Sequence, residues 1–234
     1  QYAKQKICNG LAGETTLSKM PQLAAVFDSS YAALNEMVAF SAAVEEQLAD
    51  CLRHGTIPSP ELVDAISVCK IRCIEVAIQT THALRLECGS YSLMHDTGFE
   101  LADMLLCCKF AEGDSRILQQ KLARDRLKRV QREGLLATAL TAFNVFSADS
   151  AEARAALSLA RTLAPAGRDR DKMAALMDRH WEDIYNLAEL VAEGIVRRTP
   201  SSSFPEDIKQ RLVAADTAYD LSWKSKLGSM RAKL

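Results

Sequence analysis

The chain has 234 residues, 48% of them apolar and 25% charged, enough to bury one substantial core or two small ones. Its 29 basic and 30 acidic residues leave a formal charge of -1, so no global field draws it to nucleic acid or an anionic membrane. No apolar run approaches the roughly 18 residues that span a bilayer, and the start has no signal-peptide pattern.

Only ten Gly and six Pro interrupt a chain dominated by Ala, Leu, Glu, Lys and Arg, which predicts an all-α fold, an up-down helical bundle. Residues 1–10 read as the tail of a helix closed by Asn9-Gly10. From about Lys19 to Arg53, Leu23, Val26, Phe27, Leu34, Met37 and Val38 recur at helical spacing, and His54-Gly55 ends the run. Ser59-Pro60-Glu61 then supplies an N-cap, a Pro at the first helical position and an early negative charge, predicting a helix from Pro60 to about Glu87. Its expected buried stripe is Leu62, Ile66, Cys69, Cys73, Val76, Ala77 and Leu84. A tight segment from Cys88 to Gly98 precedes a helix to about Phe110, a break at Glu112-Gly113 and a helix to about Arg132.

Beyond Gly134 cysteines vanish and Ala becomes denser, so the predicted boundary separates a helical domain, 1–133, from a helical C-terminal extension, 134–234. Asp149 to Glu152 and Ser203 to Glu206 have capping-box spacing and mark helix starts near 150 and 204, with loops at Pro165 to Asp171 and Arg198 to Ser203. The seven cysteines, an odd number without paired CxxC spacing, point to free thiols in a reducing compartment and to no metal site. His54, His82, His95 and His180 lack metal spacing, and His82 reads as an interface residue. The six basic residues from Lys121 to Arg132 read as a solvated helix face, or else as a contact for an anionic partner.

The segment from Phe110 to Arg124 carries the most chemical information. Glu112, at a helix-entry glycine after the apolar run Met104 to Cys108, is a carboxylate at the edge of a nonpolar environment, suited to abstracting a proton from a weak carbon acid. The same position also suits Glu112 or Asp114 as a cap for the next helix.

Glu112-Gly113-Asp114 followed by Ala123-Arg124 resembles the glutamate-glycine motif of acyl-CoA oxidases and acyl-CoA dehydrogenases. Arg85, Cys88-Gly89 and Tyr91 resemble an oxidase segment in which Arg, two residues and Cys lead into a Gly-rich turn. Pro60-Glu61-Leu62 and Lys70 lie at similar distances before it, and Tyr2-Ala3, Lys6 and Gly10 are similar to the opening of the family's C-terminal helical domain.

The resemblance, over residues 1 to about 130, implies FAD as cofactor, an acyl-CoA thioester as substrate and α,β-dehydrogenation as in fatty-acid β-oxidation. It assigns Glu112 as the catalytic base and Lys6, Arg85, Cys88, Gly89 and Gly113 to the cofactor side. It also implies a homo-oligomer or a larger assembly. The final Ala232-Lys233-Leu234 resembles a peroxisomal import signal, with the mitochondrial matrix as the alternative.

Lys6 stands where the family has arginine, Asn9 where it has an aromatic residue, Ser90 and Tyr91 where it has further glycines, and Ala111 where an aromatic residue precedes the base. These departures motivate the alternative of a non-catalytic relative serving assembly. The family's N-terminal helical and middle β domains have no counterpart in this composition, and Gln1 is not an initiating Met. The isolated chain is therefore expected to be inactive.

Overall fold

The computed structural model describes residues 2–111, 113–144, 147–167 and 169–199. Helices dominate the described residues, and no described helix is long and apolar enough to cross a membrane. The chain divides into two compact units, one holding residues 2–43 and 76–102, the other 44–75 and 103–199.

The first unit opens with α1 (Tyr2–Gln5) and then an antiparallel hairpin, β1 (Ile7–Gly10) and β2 (Gly13–Thr16), paired from Ile7 with Thr16 to Gly10 with Gly13. This corrects the expected helix tail over residues 1–10. Asn9 and Gly10 belong to β1, opposite Glu14 and Gly13, and the chain reverses at Leu11-Ala12 into a return strand that carries Thr15 and Thr16; a local Asn-Gly pair alone does not distinguish a helix C-cap from the end of a hairpin strand. The Lys6 carbonyl accepts a bond from the Leu17 N–H at 2.8 Å and fastens the hairpin's base. A short turn, Leu17–Lys19, leads into α2 (Pro21–His54), of which Leu23, Met37 and Phe40 are buried in this unit.

The helix α3 (Pro60–Cys88) begins as the sequence predicts: Ser59 Oγ accepts the Leu62 N–H at 3.2 Å and Pro60 occupies the first turn. Its fully buried face shares only Leu62 with the predicted stripe. Leu62, Ala65, Val68 and Ile71 are buried, with Asp64 and Ser67 beside them, whereas Ile66, Cys69 and Cys73 are half-buried. The helix is apolar almost all round between Ile66 and Ala77, so spacing gave several equivalent stripes and packing chose among them. His82 is exposed. After α3 come turns at Gly89–Leu93 and Phe99–Leu101.

The second unit is a helical cluster: α4 (Ala102–Cys108, its first residue in the other unit), α5 (Ser115–Glu133), α6 (Leu135–Phe143), α7 (Ser150–Leu163), α8 (Arg170–Arg179) and α9 (Trp181–Arg198). The helices α5, α7 and α9 pack on one another and α6 lies on α7, so residues on both sides of position 133 share one core. The alanine density has a packing reason. Ala123, Ala153, Ala156, Ala188 and Ala192 are each at most 2% exposed, and such small side chains let helix backbones approach closely between the larger Leu122, Leu159 and Leu187.

The start of α8 depends on Asp169, whose carboxylate accepts the N–H groups of Asp171 and Lys172, each at 3.1 Å. The backbone bond from Lys172, then its ammonium, hold the Asp169 carboxyl below its ordinary 3.8. A carboxyl whose folded pKa is depressed contributes stability above its unfolded value and loses it as pH falls through the folded one. Protection against amide exchange in the first turn of α8, taken relative to the intrinsic rate at each pH, is therefore expected to fall as pH drops below 3.8, and Asp169→Asn, which keeps an acceptor, to remove that dependence. Exchange measured by NMR across an acid series checks both.

Candidate functional site

The turn between α4 and α5 is held by one lysine. Lys70, about a third of the way along α3, sends its ammonium to the carbonyl oxygens of Lys109 at 2.7 Å and Gly113 at 2.5 Å and to Ser115 Oγ at 3.0 Å. Ser115 closes the same turn from the other end: its N–H and hydroxyl both donate to the Lys109 carbonyl, at 2.9 and 3.2 Å. Asp114 caps α5, accepting the Arg116 N–H at 2.7 Å, so the capping role weighed for this segment falls to Asp114. The side chain of Lys109 turns back to Glu75 Oε2 at 3.0 Å.

Glu112 itself lies outside the described residues. Its neighbours Ala111 and Gly113 are exposed, and Gly113 has a φ of 103°, a conformation that glycine alone adopts without strain. The apolar run before the turn is open: α4 buries none of its residues, and Met104, Leu106 and Phe110 are 64%, 47% and 66% exposed. The apolar run before the turn is thus an uncovered surface.

The cofactor-side residues Lys6, Arg85, Cys88 and Gly89 fall in the first unit, and Gly113 in the second. Lys6 is exposed; Arg85 and Cys88 are half-buried, and burial raises the Cys88 thiol above its ordinary pKa. Gly89 has a φ of 60°, and a Cβ added there would meet nothing within 4 Å, so the backbone faces open space. Directly after it, Tyr91 is buried and its ring stacks on that of Tyr2, centroids 3.8 Å apart and nearly parallel. Tyr2 and Tyr91, far apart in sequence, thus meet.

Cys69 and Cys73 lie one helical turn apart with their sulfurs 3.8 Å apart. The bond between the thiols, with burial, pushes Cys69 up, and the same bond pulls Cys73 down. All seven cysteines are free. In the loop after α3, ligand atoms of His95, Asp96 and Glu100 come within 4.8 Å of one another, a grouping that sequence spacing did not reveal. All three are exposed, and hydrogen bonds from its own N–H and the surrounding turn already hold the Glu100 carboxyl below its ordinary pKa.

Sequence reasoning missed a second polar centre. Arg126, from the basic run expected to be solvated, is buried, and its Nε donates to Glu152 Oε1 at 2.6 Å with the two side chains 10% and 9% exposed. Lys121 and Arg129 reach Asp64 at 2.7 and 3.8 Å, and Lys128 pairs with Asp125 at 2.9 Å. The run is therefore largely neutralised within the unit. Asp149 starts α7 where the capping pattern placed it, but makes no cap bond; it accepts from Arg197 at 2.6 Å and Arg198 at 3.0 Å instead. Both acids of that motif went to arginines brought from other helices, which no local pattern could indicate.

Beside this network lies a cavity of 330 Å³, lined among others by Arg126, Arg129, Glu61, Asp64 and Glu152. Lining charges of both signs leave it without a marked preference for an ion of either. Gly194 on α9 accommodates the network: a Cβ there would lie 3.0 Å from both Glu152 Oε2 and Arg198 Nη1. Gly→Ala within a helix ordinarily stabilises by about 1 kcal/mol. Gly194→Ala is expected to bring no such gain, because the Glu152 carboxylate, tied to Arg126, cannot give way. Urea denaturation measures the difference.

Comparison with protein-family models, curated proteins and solved structures finds no match to the chain.

Proposed function

We propose that the chain is the C-terminal helical part of an FAD-dependent acyl-CoA oxidase or dehydrogenase, acting on acyl-CoA thioesters with Glu112 as base. The observation that carries the proposal is the three-point hold of Lys70 on the turn that contains Glu112. A general base works only when its carboxylate is held in reach of the proton it removes, and this turn is fixed on both sides of position 112. The order of the motifs, from Lys6 through Arg85 and Cys88-Gly89 to Glu112-Gly113, supports the same assignment.

In this reading Glu112 takes the α-proton of the thioester, and FAD, when bound, accepts the β-hydride. Lys6 and Arg85 offer cations to the cofactor's phosphates, with Lys6 giving a point charge rather than the bidentate fork of arginine. The open space at Gly89 allows the backbone to approach a ligand. The uncovered apolar side chains of α4 suit a site completed by other parts of an assembly, and the isolated chain is expected to be inactive. Peroxisomal localisation through Ala232-Lys233-Leu234, which lies outside the described residues, belongs to the same proposal.

The complete gene product, rather than this chain by itself, should show a flavin absorption band that bleaches on addition of acyl-CoA. Glu112→Gln should keep the band and slow bleaching at least about a hundredfold, the usual range for loss of a general base. Absence of flavin, or equal bleaching by the variant, would sink the assignment. A second reading, a non-catalytic relative that serves assembly, is favoured by one feature: Tyr91 stands where the family has glycine and is packed against Tyr2, giving the turn a structural use. Stoichiometric FAD with substrate-dependent hydrogen peroxide would eliminate that reading.

A further inference from the structure

We propose that the groove between α5, α7 and α8 binds a fatty acid, with the hydrocarbon chain along its floor and the carboxylate at Arg124. The groove encloses about 590 Å³, within the usual range of small-molecule sites. Leu127 and Val130 of α5, Leu163 of α7 and Met173 and Met177 of α8 supply its apolar lining. Methionine side chains adapt to a flexible chain better than branched ones do.

Two features select this occupant. The first is incomplete packing: α8 carries Met173, Leu176 and Met177 on one face, at helical spacing, yet buries none of its residues. A helix so thinly held can yield to admit a chain and gains apolar contact when one is bound. The second is charge. The lining includes Arg124 and Lys128, one turn apart on α5, and no carboxylate. Lys128 is already paired with Asp125, whereas Arg124 forms no ion pair among the described residues and spends only its Nε, on the Gln120 carbonyl. Arg124 thus keeps its outer N–H groups in a planar fork suited to a carboxylate at the rim. An apolar trough with one uncommitted guanidinium matches a single-chain amphiphile with an anionic head. It does not match a cationic or purely apolar ligand. The inference stands apart from the assignment of Glu112, which lies on another turn.

Calorimetric titration of the full 234-residue chain with dodecanoate, dodecanol and dodecylammonium, each below its aggregation limit, tests the proposal. Dodecanoate should bind saturably with one equivalent, about tenfold tighter than dodecanol, and dodecylammonium weakest. Arg124→Gln, at an exposed position, should bring dodecanoate to within about twofold of dodecanol and leave dodecanol unchanged. Ala160→Phe, which fills the trough from α7, should weaken both, while Glu112→Gln should leave both unaltered. Equal affinities for the three head groups, discrimination that survives Arg124→Gln, or no saturable binding because another part of the chain or a second copy covers the groove would each overturn it.

Discussion

Glu152→Ala is expected to cost about 3–5 kcal/mol of folding stability, the range found when one member of a buried ion pair is removed. The loss comes from the partner left behind rather than from the missing bond. Arg126 is 10% exposed, and its Nε has Glu152 Oε1 as acceptor at 2.6 Å. The nearest other carboxylate oxygen, Glu133 Oε2, is 3.5 Å from Nη1, and that nitrogen is buried without a hydrogen bond. Glu152 Oε2 is likewise buried and unbonded, so the pair is already short of partners before either member is cut. Removing both charges should therefore be far milder than removing one. The double variant Arg126→Met, Glu152→Leu is expected to recover most of the loss, because apolar groups of similar size require no desolvation of charge. Urea denaturation of the two single variants and the double measures the coupling; a double variant as unstable as Glu152→Ala would show that the pair contributes by its geometry instead.

Lys70→Met should cost about 2–3 kcal/mol and act on one short segment. Methionine preserves most of the aliphatic stem and removes the ammonium that serves Lys109, Gly113 and Ser115. Hydrogen bonds to a charged group contribute about 1.5–3 kcal/mol each, and partial access of water to this turn replaces part of the total. The decisive readout is local. Amide exchange at residues 109–115 should accelerate more than in the body of α5, whose own ladder is untouched. If Glu112 is the base of a dehydrogenation, the same variant should lower turnover while flavin remains bound. Unchanged exchange in the turn would mean that Ser115 and Asp114 suffice to hold it.

Local signals explain how far the fold was legible. The starts of α3 and α7 and the break between α4 and α5 rest on residues adjacent in sequence, and the structure places each of these ends within a residue or two of the expected position. The end of α5 at Gly134, with a φ of 90°, is likewise written into a single glycine. What failed was the choice among locally equivalent options. Asn9-Gly10 sits at the end of a hairpin strand as readily as it ends a helix, and the α3 stripe was ambiguous because the helix is apolar on several faces. The candidate site divides the same way. Asp114 as a cap was readable from spacing, but the Lys70 hold joins positions 39 to 45 residues apart, and Arg126 with Glu152 joins positions 26 apart. Charges in a basic run look solvated until the helix that neutralises them is known.

The Lys70 hold also bears on how the turn comes into being. Its three acceptors lie on a segment that begins after α4, so making the hold closes a loop of 39 to 45 residues and carries the entropic cost of a long loop. A peptide spanning 102–133 could form the α5 helix by itself and would still lack the lysine that draws Lys109 and Gly113 together. The shape of the turn is thus acquired late and belongs to the folded domain rather than to its local sequence. During refolding, protection at residues 109–115 should follow, and never precede, protection along the first half of α3.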